Sequence, residues 1–237
     1  MPLPEVTSDG KTVQFPSLYS GDHYQRDEFM RRYEARHDLR KAELINGVVY
    51  IMPSPVSDFH AGPDEFFAHL LTSYRLETPG VVARANATVL LAADSSVQPD
   101  WHLRIVPESG GQSKLDESKY LVGAPEFILE VAYSSANKDL HEKKALYFAA
   151  GVREYFVWLA HDGVMKFYQR GPAEFDEASA DADGIYRSTV FPGLWIEAAS
   201  IAKGDMPAMA AALKRGLGSP EHAAFVAELK KRAGAIQ

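Results

Sequence analysis

Apolar positions recur along this chain at two spacings, and the switch from one to the other marks its elements. In YQRDEFMRRYEAR (24–36), Phe29 and Tyr33 share a face with Arg32 or Arg36 at helical spacing. Asn46-Gly47, set between two apolar runs, predicts a type I′ hairpin whose second strand is Val48–Ile51, ended by Pro53 and Pro55. Residues 58–77 read as a helix through Phe66, Leu70 and Ser73/Tyr74, with Pro63 near its beginning. Short strands are expected at Val81–Arg84, Thr88–Leu91 and Val97–Val106, the last interrupted by Pro99, and residues 107–119 form a polar loop. Phe127–Ala132 is a continuous apolar run broken by Glu130, the signature of a strand covered on both faces. Lys138–Ala150 reads as a helix stopped by Gly151. Glu154–Leu159 and Val164–Tyr168 are strands joined through His161-Asp162-Gly163, and Ile185–Tyr186 is a last small strand. Beyond Pro207 the composition is helical, with a break at residues 216–220 and Pro220 starting the second helix.

This order of strands and helices predicts an α/β fold (an α+β mixed sheet). The 237 residues, 46% of them hydrophobic, suffice for one sizeable core. The expected organisation is an irregular lead-in over 1–22, a domain over 23–203, and a helical extension over 204–237 packing on that domain. There is no cysteine, so disulfides and cysteine zinc sites are excluded. The start of the chain does not read as a secretory leader, and no apolar stretch is long enough to span a membrane. A cytoplasmic location is the expectation. A formal charge of -7 counts against tight, surface-wide binding of nucleic acid, though not against an enzyme that touches one briefly.

Three side chains are out of place for packing alone. On a strand, Ile128, Glu130 and Ala132 face one way and Phe127, Leu129 and Val131 the other. Glu130 is therefore either salt-bridged, or at a strand end reaching solvent, or part of a site. Asp100, after Pro99, is either a turn acid or the partner of Glu130 from another strand. Two such carboxylates can hold a divalent ion of the Mg²⁺ type, which lowers the pKa of bound water. Lys143 falls on the apolar stripe Leu140, Lys143, Leu146/Tyr147, Ala150; it either snorkels or stands over the carboxylates. His102, two residues after Asp100, is read as a polar residue near a sheet edge. There is no H-E-x-x-H and no phosphate-binding Gly-rich loop.

The blocks AELINGVVYIMPSPVSDFH, QPDWHLRI, GAPEFILEVAYSSANKDLHEKKALYFAAGVREYFVW and YRSTVFPGLWI resemble the Uma family of restriction endonucleases, a branch of the PD-(D/E)XK nuclease superfamily. The resemblance runs from about residue 24 to 200. It implies the restriction-endonuclease-like fold and a Mg²⁺-dependent endonuclease (Mn²⁺ a substitute) acting on DNA, with homodimers common in such nucleases. It implies Asp100 as the Asp of the PD element and Glu130 as the second acid. The lysine usual two positions later is absent, Ala132 standing there, and Lys143 on the next helix is its match. Glu43 matches the family's early glutamate, and His60 its histidine in the next helix. The implied metal ligands are Asp100, Glu130 and Glu43. Asp139 is expected to favour the start of its helix, Tyr147 to position the lysine by packing, and Ser134 and Ser135 to shape the strand-to-helix turn. A non-catalytic protein on the same fold, and a hydrolase of RNA or another phosphate ester, remain the rival readings.

Overall fold

The structure is a computed structural model describing residues 16–52 and 58–235, together with the backbone of two short segments before them. Those segments, β1 (Glu5–Val6) and β2 (Thr12–Val13), pair antiparallel. Pro2, Pro4 and Gly10 of the expected lead-in, and the strand-ending Pro53 and Pro55, lie outside the described residues.

The first half holds α1 (Arg26–Glu34), β3 (Ala42–Ile45), β4 (Val48–Ile51), α2 (Asp58–Glu77), β5 (Val81–Ala85), β6 (Val89–Ala92), β7 (Ser95–Val97) and β8 (Trp101–Ile105). After a 3-10 turn at Pro107–Ser109 come β9 (Lys114–Leu115), β10 (Leu121–Val122), β11 (Phe127–Ala132), α3 (Ala136–Lys138), a π-helical turn (Asp139–Lys143) and α4 (Lys144–Ala150). The chain continues through β12 (Glu154–Leu159), β13 (Val164–Arg170), β14 (Phe175–Ala178), β15 (Ile185–Arg187), β16 (Trp195–Glu197), α5 (Ala198–Lys203), α6 (Met206–Leu217) and α7 (Pro220–Gly234).

Two six-stranded mixed sheets carry the fold, ordered β4-β3-β7-β6-β10-β9 and β14-β13-β12-β11-β8-β5. In the second, β11 lies parallel to β12 and antiparallel to β8, with Leu129 opposite Trp101. The alternation expected for β11 is what builds the layers. Phe127, Leu129 and Val131 pack with Trp101, Leu103, Phe67, Tyr74, Met209, Leu213 and Leu229, so α2, α6 and α7 cover one face. Ile128 and Ala132 pack on the other face with Ile45, Val89, Val97, Leu121 and Tyr147, in a core shared by the two sheets. Glu130 belongs to that second face.

The Asn46-Gly47 hairpin forms as expected, with φ of 49° and 80° and Ile45 opposite Val48. Gly151 caps α4 in the left-handed region. The single strand expected over 97–106 divides instead. Gln98 to Asp100 lie between β7 and β8, which belong to different sheets, and Pro99 has no N–H with which to extend either ladder. Pro63 sits one turn inside α2 rather than at its first residue.

Candidate active site

The two sheets meet where β8 begins and β11 ends. Asp100 immediately precedes β8 and faces the same side as Glu130, because its neighbour Trp101 is turned to the opposite core. The Asp100 backbone N–H donates to Glu130 Oε2 at 3.3 Å, and the Val131 N–H donates to Asp100 Oδ2 at 2.8 Å. The two acids are thus tied into each other's backbone across neighbouring strands.

Lys143 fills the space beneath them. Its Nζ donates to Glu130 Oε1 at 3.0 Å and to Glu43 Oε1 at 3.1 Å, and Asp139 Oδ1 lies 3.7 Å away. The π turn places both Asp139 and Lys143 inward, and both are buried. Such turns recur at functional sites because they re-aim side chains without ending the helix. Glu43, fully buried on β3, also accepts the Gln98 N–H at 2.8 Å. Its Oε2 lies 3.0 Å from Lys143 Nζ but has no hydrogen-bond partner among the described residues. His60 Nε2, near the start of α2, is 3.3 Å from Asp100 Oδ2. All five residues singled out from the sequence, Asp100, Glu130, Lys143, Glu43 and His60, therefore lie in one network. Asp100, Glu130, Lys143 and His60 line a single cleft of about 560 Å³, together with Lys41, Asp64, Tyr133 and Asp139.

The charges respond to burial and to one another. Burial alone would raise Asp100, but His60, Lys41 and the Val131 N–H hold it well below the ordinary carboxylate range. His60 is raised by its bond to Asp100, against the opposing effect of burial. Burial pushes Glu130 up to about 8, with Lys143 as the main opposing influence. Lys143 is itself held charged: burial works against it, but Glu130, Glu43 and Asp139 outweigh that and raise it.

Several assignments change. Asp139, expected to favour the start of its helix, does stand in the first turn of the π segment but also faces Lys143. It is buried, accepts Ser135 Oγ at 2.6 Å, and burial raises its pKa. Tyr147 does more than pack: its hydroxyl donates to Glu130 Oε1 at 2.7 Å. His102 is near a sheet edge, on β8 beside the edge strand β5, but it is 1% exposed and therefore not on a polar face. Sequence reasoning missed Lys41, whose Nζ is 3.0 Å from Asp100 Oδ1, although its place two residues before Glu43 was a readable same-face signal. Asp64, which accepts the Trp101 indole N–H at 2.7 Å, was missed as well, because that pair is separated by 37 positions.

Whether these residues suit a divalent ion depends on how many donors the protein must supply. Among the described residues, no group of three or more acidic or histidine side chains is placed to hold an ion unaided. Mg²⁺ commonly takes only one or two carboxylates and completes its shell with water and substrate oxygens. Asp100 and Glu130 fit that pattern, and Glu43 Oε2, ion-paired with Lys143 but accepting no hydrogen bond among the described residues, is a further acceptor close by. Lys41 pairs with Asp100 and Lys143 with Glu130, so a bound ion would compete with both lysines.

A protein-family model described as "Putative restriction endonuclease", Uma2, matches residues 26–200. Among solved structures, the chain is similar to a protein of Anabaena variabilis titled a putative nuclease belonging to DUF820. The identity is 14% and the TM-score 0.57, over 76% of this chain and 98% of that one. At that identity the likeness shows the fold. No curated protein matches the chain.

Proposed function

Because the chain belongs to the Uma2 family, a group with the nuclease fold, we propose that it is a Mg²⁺-dependent endonuclease hydrolysing phosphodiester bonds in DNA, working in the cytoplasm. The observation that carries this reading is the convergence of Asp100, Glu130 and Lys143 on one cleft, two acids from adjacent strands and a buried lysine from the next helix.

In this reading Asp100 and Glu130, with Glu43 behind them, hold the ion, which supplies a polarised phosphate and a more acidic water. The remaining work belongs to the chain. The Val131 N–H and Lys41 fix the orientation of Asp100 and keep it ionised. Tyr147 and Lys143 fix the orientation of Glu130, Lys143 opposing the burial that raises its pKa, and Gln98 N–H anchors Glu43 so that Lys143 is drawn between two acids. Lys143, 3.0 Å from Glu130, is the cation assigned to meet charge developing on the phosphate. His60, partly exposed and raised by Asp100, faces the cleft as a proton donor.

One observation favours a rival. Lys143 and Lys41 already neutralise the acids, as in a purely structural ion-pair network, which would make this a non-catalytic binding protein on the nuclease fold. Calorimetric titration with Mn²⁺ separates the two. The proposal expects the wild type to bind and an Asp100→Ala/Glu130→Ala protein of matched folded content to bind at least ten-fold more weakly. Equal titration curves would favour the rival. A panel of duplex, single-stranded and branched DNA plus RNA then separates a deoxyribonuclease from a hydrolase of another phosphate ester.

A further inference from the structure

Two aromatic rings, Tyr133 lining the cleft and Phe59 stacked on it, have no packing role in the cores of the described residues. Phe59 is 60% exposed and Tyr133 42% exposed, yet they stack on each other, their centroids 5.2 Å apart and their planes 1° from parallel. Exposing two large apolar faces to water is unfavourable, and stacking them on each other recovers part of that cost while leaving their outer faces open. Their positions are tied to the acids. Phe59 directly precedes His60, which touches Asp100, and Tyr133 follows Glu130 by three residues and lines the cleft. Lys41 and Lys138 line the same cleft together with its acids, Lys41 bonded to Asp100 and Lys138 lying over the Tyr50 ring.

We propose that the Phe59–Tyr133 pair is a stacking platform for an unpaired nucleobase, so that the cleft takes a single-stranded or locally unpaired nucleic-acid strand rather than intact duplex. Three features point to this occupant. Exposed aromatic faces beside a phosphodiester site can hold a single strand by stacking, since every base has a face to stack. A volume near 560 Å³ is that of a pocket for one small ligand, such as an extruded nucleotide, not of a groove for a duplex. The net charge of -7 disfavours the long phosphate contacts by which duplex is gripped. The proposal rests on the reading of this cleft as a phosphodiester site, but it is tested by binding, not by cleavage.

The test is fluorescence anisotropy in EDTA with a labelled single-stranded oligodeoxynucleotide and its duplex, using the full-length wild type, Phe59→Ala, Tyr133→Ala and Phe59→Trp. Both rings are largely outside the core, and thermal melts identify any variant that misfolds. The wild type is expected to bind the single strand at least ten-fold more tightly than the duplex. Each alanine variant should lose about ten-fold in affinity for the single strand, and Phe59→Trp should keep wild-type affinity. The proposal is overturned if the alanine variants bind as the wild type does, if duplex binds as tightly, or if no single strand binds. It is also overturned if sedimentation shows that the alanine variants abolish a dimer while strand binding is unchanged. Strand binding without Mg²⁺-dependent cleavage would sink the nuclease reading and leave the platform standing. Cleavage of duplex indifferent to Phe59 and Tyr133 would do the reverse.

Discussion

Lys143 neutralises more buried charge than any other side chain of the site. It contacts Glu43 and Glu130 directly and has Asp139 at longer range. Replacing it by methionine keeps the bulk but leaves the acids without their cation. Breaking a buried pair in this way typically costs about 3–5 kcal/mol, so Lys143→Met should show a loss of that order in urea unfolding. An unchanged midpoint would mean that the acids are neutral without it. Tyr147→Phe is a gentler probe. It removes one hydrogen bond to Glu130, and because burial raises that acid the loss expected is that of an ordinary hydrogen bond, about 0.5–1.5 kcal/mol. His102, two residues beyond Asp100, supplies a pH test. Burial, with help from Arg104 and Arg84, lowers it to about 3, against about 6.5 in the unfolded chain. Between those values the unfolded state takes a proton that the native state refuses. Stability should therefore be lost as pH falls from about 6.5 towards 3, by about 1.4 kcal/mol per unit at most. A His102→Leu protein should lose stability less steeply across that window. Parallel melting curves for the two proteins would show that His102 is already charged in the fold.

At the scale of elements, the features visible in the sequence are those set by local backbone chemistry. Asn46-Gly47 allowed only one short hairpin, and Gly151 had to end its helix, because both need positive φ. Gly47→Ala should accordingly cost about 1 kcal/mol in thermal unfolding, with no change in the number of transitions. The alternation along β11 placed Glu130 on its correct face. What stayed hidden was set by distant pairing. Pro99 marks an interruption between Val97 and Trp101, but nothing local says that the strands on either side join different sheets. Edge strand β14, with sequence FDEA, is too polar to read as a strand and forms because Phe175 reaches the core beside Tyr168. The π turn was hidden because the residues of a helix do not announce one extra residue per turn; its effect, Asp139 and Lys143 both facing the acids, appears only in three dimensions.

For the molecule as a whole, the site is assembled at a seam. Glu43 comes from one sheet, Asp100 and Glu130 from the other, and Lys143 from the helix that packs over their shared core. That arrangement explains why the sequence yielded the five candidate residues only through their combined order: singly, each had an ordinary packing or capping explanation. It also ties the carboxyl-terminal helices to the rest. Leu229 of α7 is buried in the core formed by α2 and β8, and His222 Nε2 lies 2.9 Å from Thr78 Oγ1. We therefore propose that 204–237 unfolds with the domain. Leu229→Ala should lower the single unfolding midpoint by an amount equivalent to about 2–5 kcal/mol, whereas a separate early transition would mark the extension as independent. The central claim, that the seam cleaves phosphodiesters with a divalent ion, meets its most direct test in one assay. Purified wild type and Asp100→Asn are incubated with DNA substrates, with Mg²⁺ or with EDTA, and the products are resolved on a gel. Cleavage by the wild type in Mg²⁺ alone, and its loss in Asp100→Asn, is the predicted result; full Mg²⁺-dependent cleavage by Asp100→Asn, or none by the wild type on any substrate, would contradict it.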